Sequence, residues 1–250
     1  MKEYVDYLTE WLQSKIKDAN AKGAAVGVSG GLDSAVVVNL IKRAFPDNSL
    51  GVIMPVGQEV EDQKEAVETV KKANLFYLGI NLTESYEKLF KDIKGNIESH
   101  GEWVEDNEQL GGANLKARLR MSTLYAVAAN YNYLVIGTGN APETYTGYFT
   151  KFGDGAADIE PLSHLTKQQV REMARYLEVP ESVIERPPSA ELWEGQTDED
   201  ELGVTYETID AYLRGETIDE KDEQIIEGLH EKSKHKRHMP AVPPEVPKGE

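Results

Sequence analysis

The sequence predicts an α/β fold, a doubly wound and mostly parallel sheet flanked by helices, and three observations carry that prediction. Short apolar runs alternate with segments of helical periodicity along most of the chain, the pattern of successive β-α-β units. A glycine-rich turn, Gly27-Val28-Ser29-Gly30-Gly31-Leu32-Asp33-Ser34, links the first apolar run to a helix. The 250 residues, 40% hydrophobic and 28% charged, suffice for an ample core. Residues 1–250 are read as one domain.

In order, Val5, Leu8, Leu12, Ile16 and Ala19 form the stripe of an amphipathic first helix over residues 2–20. Ala24 to Val28 is the first strand, and Leu32, Val36, Leu40 and Ile41 recur at helical spacing after it. Leu50 to Met54 reads as a second strand. Glu59 to Asn74 reads as a helix with Ala66, Val67, Val70 and Ala73 buried. Leu75 to Ile80 is a third strand, Glu84 to Ser99 a helix, Asn114 to Asn130 another helix, and Leu134 to Gly137 a fourth strand. Thr138 to Asp158 then lacks sustained periodicity and is crowded with glycine, threonine and acids, so it reads as a functional irregular loop. Helices follow over Lys167–Leu177, Glu181–Arg186, Tyr206–Leu213 and Asp219–Glu231, and the tail from about residue 240 is expected to fray.

Composition narrows the function classes. With no cysteine there is no disulfide, thiolate metal ligand or thiol nucleophile. A net charge of −17 argues against nucleic acid as a partner. No apolar run approaches the ~18 residues of a membrane span, and Met1-Lys2-Glu3 opens no signal peptide, so a cytoplasmic, membrane-free protein is expected.

The turn itself is the chemical feature. A strand, a glycine-rich turn and a helix N-terminus present unpaired N–H groups and a positive dipole end, which favour an anion. Two adjacent glycines let a ligand approach the backbone, and Ser29 and Ser34 add hydroxyl donors. Phosphate is the natural ligand. The chain lacks G-x-x-x-x-G-K-[ST] and G-x-G-x-x-G, which removes the Walker A and Rossmann fingerprints. Residues 27–31 also satisfy G-x-S-x-G, the nucleophile elbow of esterases, with Ser29 as nucleophile. Against this, the elbow normally follows several strands and comes with an H-G-G-G-type segment, which is absent. An acidic residue in a phosphate loop repels bare phosphate, so Asp33 makes best sense as a Mg2+ ligand or a partner of one.

S-G-G-x-D-S at the first strand-to-helix turn resembles the signature of the ATP pyrophosphatases, the PP-loop family, which cleave ATP between its α and β phosphates. Further blocks are more specific: Gly137-Thr138-Gly139-Asn140, Glu143, Gly147 to Gly155 (G-Y-F-T-K-F-G-D-G), Asp158 and Pro161. With Asn114 to Met121, Arg186 to Gly203 and His235-Lys236-Arg237, they are similar to the ammonia-dependent NAD synthetases over residues 27–240. Ala141-Pro142 stands where that pattern leads us to expect a polar pair.

The resemblance implies an adenine nucleotide alpha hydrolase-like fold and a ligase that amidates deamido-NAD with ammonia, converting ATP to AMP and pyrophosphate. It implies a homodimer with the dinucleotide at the interface. Gly27, Val28, Ser29, Gly30, Gly31, Leu32, Asp33 and Ser34, with Thr138, Lys167 and Ser189, carry over as ATP contacts; Asp33, Ser29 and Ser34 are the catalytic candidates. Arg118, Lys151, Asp158, His235 and Lys236 carry over as deamido-NAD contacts, and Asp33 and Glu143 as Mg2+ ligands. Residues 187–203 are expected to form a mobile lid over ATP. Glutamine-using relatives add an amidase domain with a cysteine nucleophile, for which this chain has neither cysteine nor length, so free ammonia, or ammonia delivered by another protein, is the expected donor. Another PP-loop ligase is the alternative. Taken bottom-up, several of these residues also have plainer readings. Lys167 suits a solvated lysine at a helix start, Arg118 and Arg120 suit surface ion pairs, and Trp193–Leu202 suits a solvated acidic loop.

Overall fold

The computed structural model describes residues 1–57, 60, 63–188 and 197–244. Its four strands, β1 (Gly23–Gly27), β2 (Ser49–Ile53), β3 (Phe76–Gly79) and β4 (Tyr133–Val135), form one sheet in the order β3-β2-β1-β4, every pair parallel. Ala25 of β1 pairs with Leu50 on one side and Val135 on the other. One further parallel bridge, Ile136 to Ile159, extends the sheet beyond β4.

Side chains alternate across β1, so Ala24 and Val26 face one layer and Ala25 the other. The first layer holds α1 (Lys2–Asp18), α2 (Leu32–Ala44), α3 (Lys64–Lys72), α7 (Lys167–Tyr176) and α8 (Glu181–Ile184), with Leu12, Ile16, Leu40, Val70, Met173 and Val183 in its core. On the opposite face α5 (Glu108–Tyr131) lays Leu124 and Ala128 against Leu50, Val52 and Val135, and α4 (Thr83–Ser99) packs outside it. A smaller cluster of Leu202, Val204, Tyr206, Ile209 and Ile226 joins α9 (Asp198–Leu202), α10 (Tyr206–Leu213) and α11 (Glu220–Lys232) to α6 (Ala141–Thr146).

The chain leaves β1 toward β2 on one side and returns as β4 on the other. The carboxyl ends of β1 and β4 therefore flank a topological switch point, where ligands bind in sheets of this kind. The glycine-rich turn lies there.

Several expected elements differ in the structure. The helix expected from Glu59 begins at Lys64, and residues 58, 59, 61 and 62 are outside the described set. The helix expected from Asn114 begins at Glu108; Gly111-Gly112, with poor intrinsic helix propensity, hides its first turns. Ala19, expected on the first buried stripe, is exposed beyond the end of α1. The stretch 138–158 is not wholly irregular, because α6 occupies its middle. Ala141-Pro142 falls on the first two positions of that helix, where a missing N–H costs nothing. Part of the expected acidic loop Trp193–Leu202 is α9, capped by the Thr197 side chain. Residues 189–196 and 245–250 lie outside the described residues, and residues 240–244 are exposed with no regular structure.

Candidate active site

Gly30 turns the chain with φ +85°, a backbone conformation that an L side chain rarely adopts, and Gly31 caps α2. Ser29 Oγ accepts from the Gly31 N–H at 3.2 Å and lies 3.2 Å from Ser34 Oγ, whose hydroxyl donates to Gly31 O at 2.9 Å. Ser29 is thus tied to Ser34 and the loop backbone rather than to a histidine, which removes the pairing an esterase nucleophile needs. Asp33 sits in the first turn of α2 and points toward the switch point.

Two further segments, the starts of α6 and α7, bring side chains to Asp33. Asn140, wholly buried, caps α6: its oxygen accepts the Glu143 N–H at 3.0 Å, and Glu143 Oε2 accepts the Asn140 N–H at 3.3 Å. Its amide nitrogen then donates to Asp33 Oδ1 at 2.9 Å and Glu143 Oε1 at 2.7 Å. Lys167 opens α7 just after the Thr166 cap. Asp210 of α10 accepts the Lys167 and Gln168 N–H groups at 3.0 and 2.9 Å, an acid at the positive end of the helix. From this anchored position Lys167 Nζ reaches Asp33 Oδ2 at 2.7 Å and Glu143 Oε1 at 3.2 Å, with the Tyr206 ring centroid 4.6 Å away. Lys167 is only 3% exposed, so it is no solvated surface lysine.

Two carboxylates against one ammonium leave this cluster with a formal deficit of positive charge. Burial works against the Lys167 ammonium, but Asp33 and Glu143 more than offset it and hold its pKa above the ordinary lysine value. Burial pushes the Glu143 carboxyl up to about 7, against the opposing Lys167 charge and with the Asp33 charge adding to it. Tyr206 donates to Asp198 at 2.9 Å and lies 3.4 Å from Glu143; Tyr148 donates to the same Asp198 at 3.1 Å and to Glu201 at 2.8 Å. Both hydroxyls are held protonated, by burial first and then by these acids.

Of the residues expected at deamido-NAD, Arg118, Lys151 and His235 are linked to one another. Arg118 Nη2 donates to Lys151 O at 3.2 Å, and Lys151 Nζ donates to His235 O at 2.5 Å. Lys236 Nζ donates to Gly147 O at 2.8 Å and Phe149 O at 2.6 Å, which pins the C-terminal turn to residues 147–149. Asp158 accepts the Val135 N–H at 2.8 Å and the Tyr125 hydroxyl at 3.3 Å. Thr138 lies between β4 and α6. Ser189 is outside the described residues. Arg118 and Arg120 diverge as expected, but each meets a backbone carbonyl rather than a surface acid: Arg120, half-buried, donates to Met54 O at 3.0 Å.

Sequence reasoning missed Asn140 as a site residue, although N-x-x-E is a helix-start signature. It also missed Tyr206 and Asp198, for which no local pattern exists, and Glu160. Glu160 is a carboxylate packed over Gly137; its Oε2 is buried with no hydrogen-bond partner, and burial is the chief cause that pushes its pKa up to about 7.

Two carboxylates that converge on one cation suit a hard divalent ion such as Mg2+, which takes oxygen ligands from one or two acids and a substrate phosphate.

The family model described as NAD synthase matches residues 4–240. The NH(3)-dependent NAD(+) synthetase of Alkaliphilus oremlandii is 49% identical over 239 residues, covering 96% of each chain. Among solved structures, NMN synthetase from Francisella tularensis superposes with a TM-score of 0.88 at 40% identity, covering 97% of this chain and 98% of that one. The NH3-dependent NAD synthetase from Campylobacter jejuni, in complex with the nitrate ion, gives 0.77 at 29% identity over 96% and 97%.

Proposed function

The chain belongs to the NAD synthase family and is an ammonia-dependent NAD+ synthetase, a C–N ligase, and from that premise we propose how its residues divide the reaction. The observation that carries the proposal is the convergence of Asp33, Glu143, Asn140 and Lys167 at the end of the phosphate-binding turn.

A carboxylate does not accept ammonia directly, because its leaving group would be oxide. The nicotinate carboxylate oxygen of deamido-NAD attacks the α-phosphorus of ATP, forming an acyl-adenylate and breaking the bond to pyrophosphate. Ammonia then attacks the acyl carbon, AMP leaves, and the nitrogen gives up a proton. The first-turn N–H groups of Leu32 to Ser34 and the Ser29 and Ser34 hydroxyls hold the departing pyrophosphate. Asp33 and Glu143 would hold Mg2+, which when bound offsets charge building on the phosphates. Asn140 fixes both carboxylates, Lys167 turns its ammonium to a phosphate oxygen, and Thr138 and Ser189 contact ATP. Arg118, Lys151, Asp158, His235 and Lys236 shape the deamido-NAD site, in large part through the backbone they hold. Such a reaction depends mostly on positioning and charge.

A homodimer fits one exposed surface. Helix α4 buries none of its residues, and Leu89, Ile93 and Ile97, at four-residue spacing, are 41, 39 and 36% exposed on it. A second copy of the chain covers that stripe in this reading. No helix among the described residues is long and apolar enough to cross a membrane.

Pyrophosphate–ATP exchange tests the adenylate. Labelled pyrophosphate should enter ATP when deamido-NAD is present and ammonia is absent. NAD synthesis with no exchange under any condition would contradict a free acyl-adenylate. The Francisella likeness adds nicotinate mononucleotide as the first alternative acceptor to compare in the same assay.

A further inference from the structure

We propose that Lys167 is a built-in counter-cation that competes with the divalent metal for Asp33 and Glu143, so that the metal site opens only when a polyphosphate gives Lys167 another partner. The inference rests on the reading of Asp33 and Glu143 as the metal ligands and adds an order of events to it.

The geometry is direct. Asp33 Oδ2 and Glu143 Oε1, the oxygens facing one another across the site, are both taken by the same ammonium, at 2.7 and 3.2 Å. Asn140 already donates to Asp33 Oδ1 and to Glu143 Oε1, and Glu143 Oε2 serves the α6 cap. A divalent ion held by Asp33 and Glu143 would have to displace Lys167 from them. The ammonium has little room to leave: its side chain is 4% exposed, its Cα is held by the Asp210 cap, and the Tyr206 ring lies over it. Displacing it without a substitute anion strands a buried charge, which is strongly unfavourable. ATP supplies that anion at the adjoining turn. The Lys167 ammonium then moves from carboxylate to phosphate while it stays against the Tyr206 face, and the two acids become available together.

The competition makes metal affinity low in the free protein and coupled to nucleotide. By linkage the coupling is reciprocal, so the metal also strengthens the hold on ATP. A site built this way shares one ammonium between two clustered carboxylates in the resting enzyme and recruits the metal as substrate arrives.

The test uses Mn2+ alone as probe, with free ion followed by electron paramagnetic resonance and no nucleotide present. The wild-type chain is compared with Lys167→Met and Lys167→Gln, the second retaining a donor to keep the fold in case the first does not fold. The variants are expected to bind one Mn2+ roughly tenfold to a hundredfold more tightly than wild type, the ratio expected when a charge-assisted hydrogen bond no longer competes. The gain should disappear in Lys167→Gln/Glu143→Gln. Equal affinity in wild type and variants, or a gain that survives Glu143→Gln, overturns the proposal. The metal-ligand reading is judged separately, by the Mg2+ requirement of ATP cleavage in Glu143→Gln alone. If that requirement is unchanged, Glu143 is no metal ligand and the reading itself fails.

Discussion

Asn140→Ser isolates what one buried amide does for this site. Serine is also a good helix cap, so it keeps an oxygen for the Glu143 N–H and preserves the start of α6. It removes the two N–H donors that reach Asp33 Oδ1 at 2.9 Å and Glu143 Oε1 at 2.7 Å. Hydrogen bonds to charged groups contribute about 1.5–3 kcal/mol each, which gives about 3–6 kcal/mol for the pair. Asp33 and Glu143 keep 16 and 18% of their side-chain surface and retain Lys167, so the lower end applies, about 3 kcal/mol. Urea unfolding with the measured slope reads this directly. Both carboxylates also lose their common brace, and a displacement of ~1 Å costs on the order of a hundredfold in rate. The substitution should therefore lower kcat by about that factor. A stability change below about 1 kcal/mol with normal kcat would refute the role assigned to Asn140.

Other consequences are equally open to measurement. Lys151→Ala should raise KM for deamido-NAD roughly tenfold while KM for ATP moves less; equal increases would indicate a general structural role. Glu160 has a folded-state pKa pushed up to about 7, mainly by burial, from an ordinary value of 4.5, so the folded state holds the proton that the unfolded state releases. Its contribution to stability should fall by roughly 3 kcal/mol as pH rises from 4.5 to 7, and Glu160→Gln should lessen the slope of denaturation free energy against pH by that amount, the Glu143 share remaining. Gly147→Ala forces a side chain onto φ +71° with its Cβ 2.1 Å from the Ser233 Cβ; we expect a loss of about 2 kcal/mol or more and a looser Lys236 contact, visible as faster amide exchange at residues 147–149. Ile93→Lys should convert a dimer to monomers in sedimentation velocity without unfolding α4; an unchanged dimer would exclude that face.

The fold was legible because its signals are local. Four apolar runs, the stripes at Val5, Leu8, Leu12 and Ile16, and the glycine-rich turn each announce their element within a few residues, and parallel pairing follows from their alternation. α6 was not legible, because a helix over Ala141–Thr146 is too short for periodicity and begins with proline. The phosphate turn was readable from its own letters, whereas the surroundings of Lys167 were not. A lysine beside Thr166 and Gln168 reads as surface, and what buries it is Asp33, 134 positions upstream, with Glu143 and the Tyr206 ring. Resemblance supplied the residue names; the structure supplies their partners. Arg120 makes the same point, since its burial against Met54 depends on how α5 crosses the end of β2.

The account's central claim is that one site joins ATP cleavage at the α-phosphorus to amidation of a nicotinate carboxylate. An endpoint assay with Mg2+-ATP, ammonium and deamido-NAD, separating AMP, ADP, pyrophosphate and NAD, tests it most directly. The account predicts AMP, pyrophosphate and NAD in equal amounts, and only with all three substrates present. ADP as the nucleotide product, or NAD formed without cleavage of ATP, would contradict it.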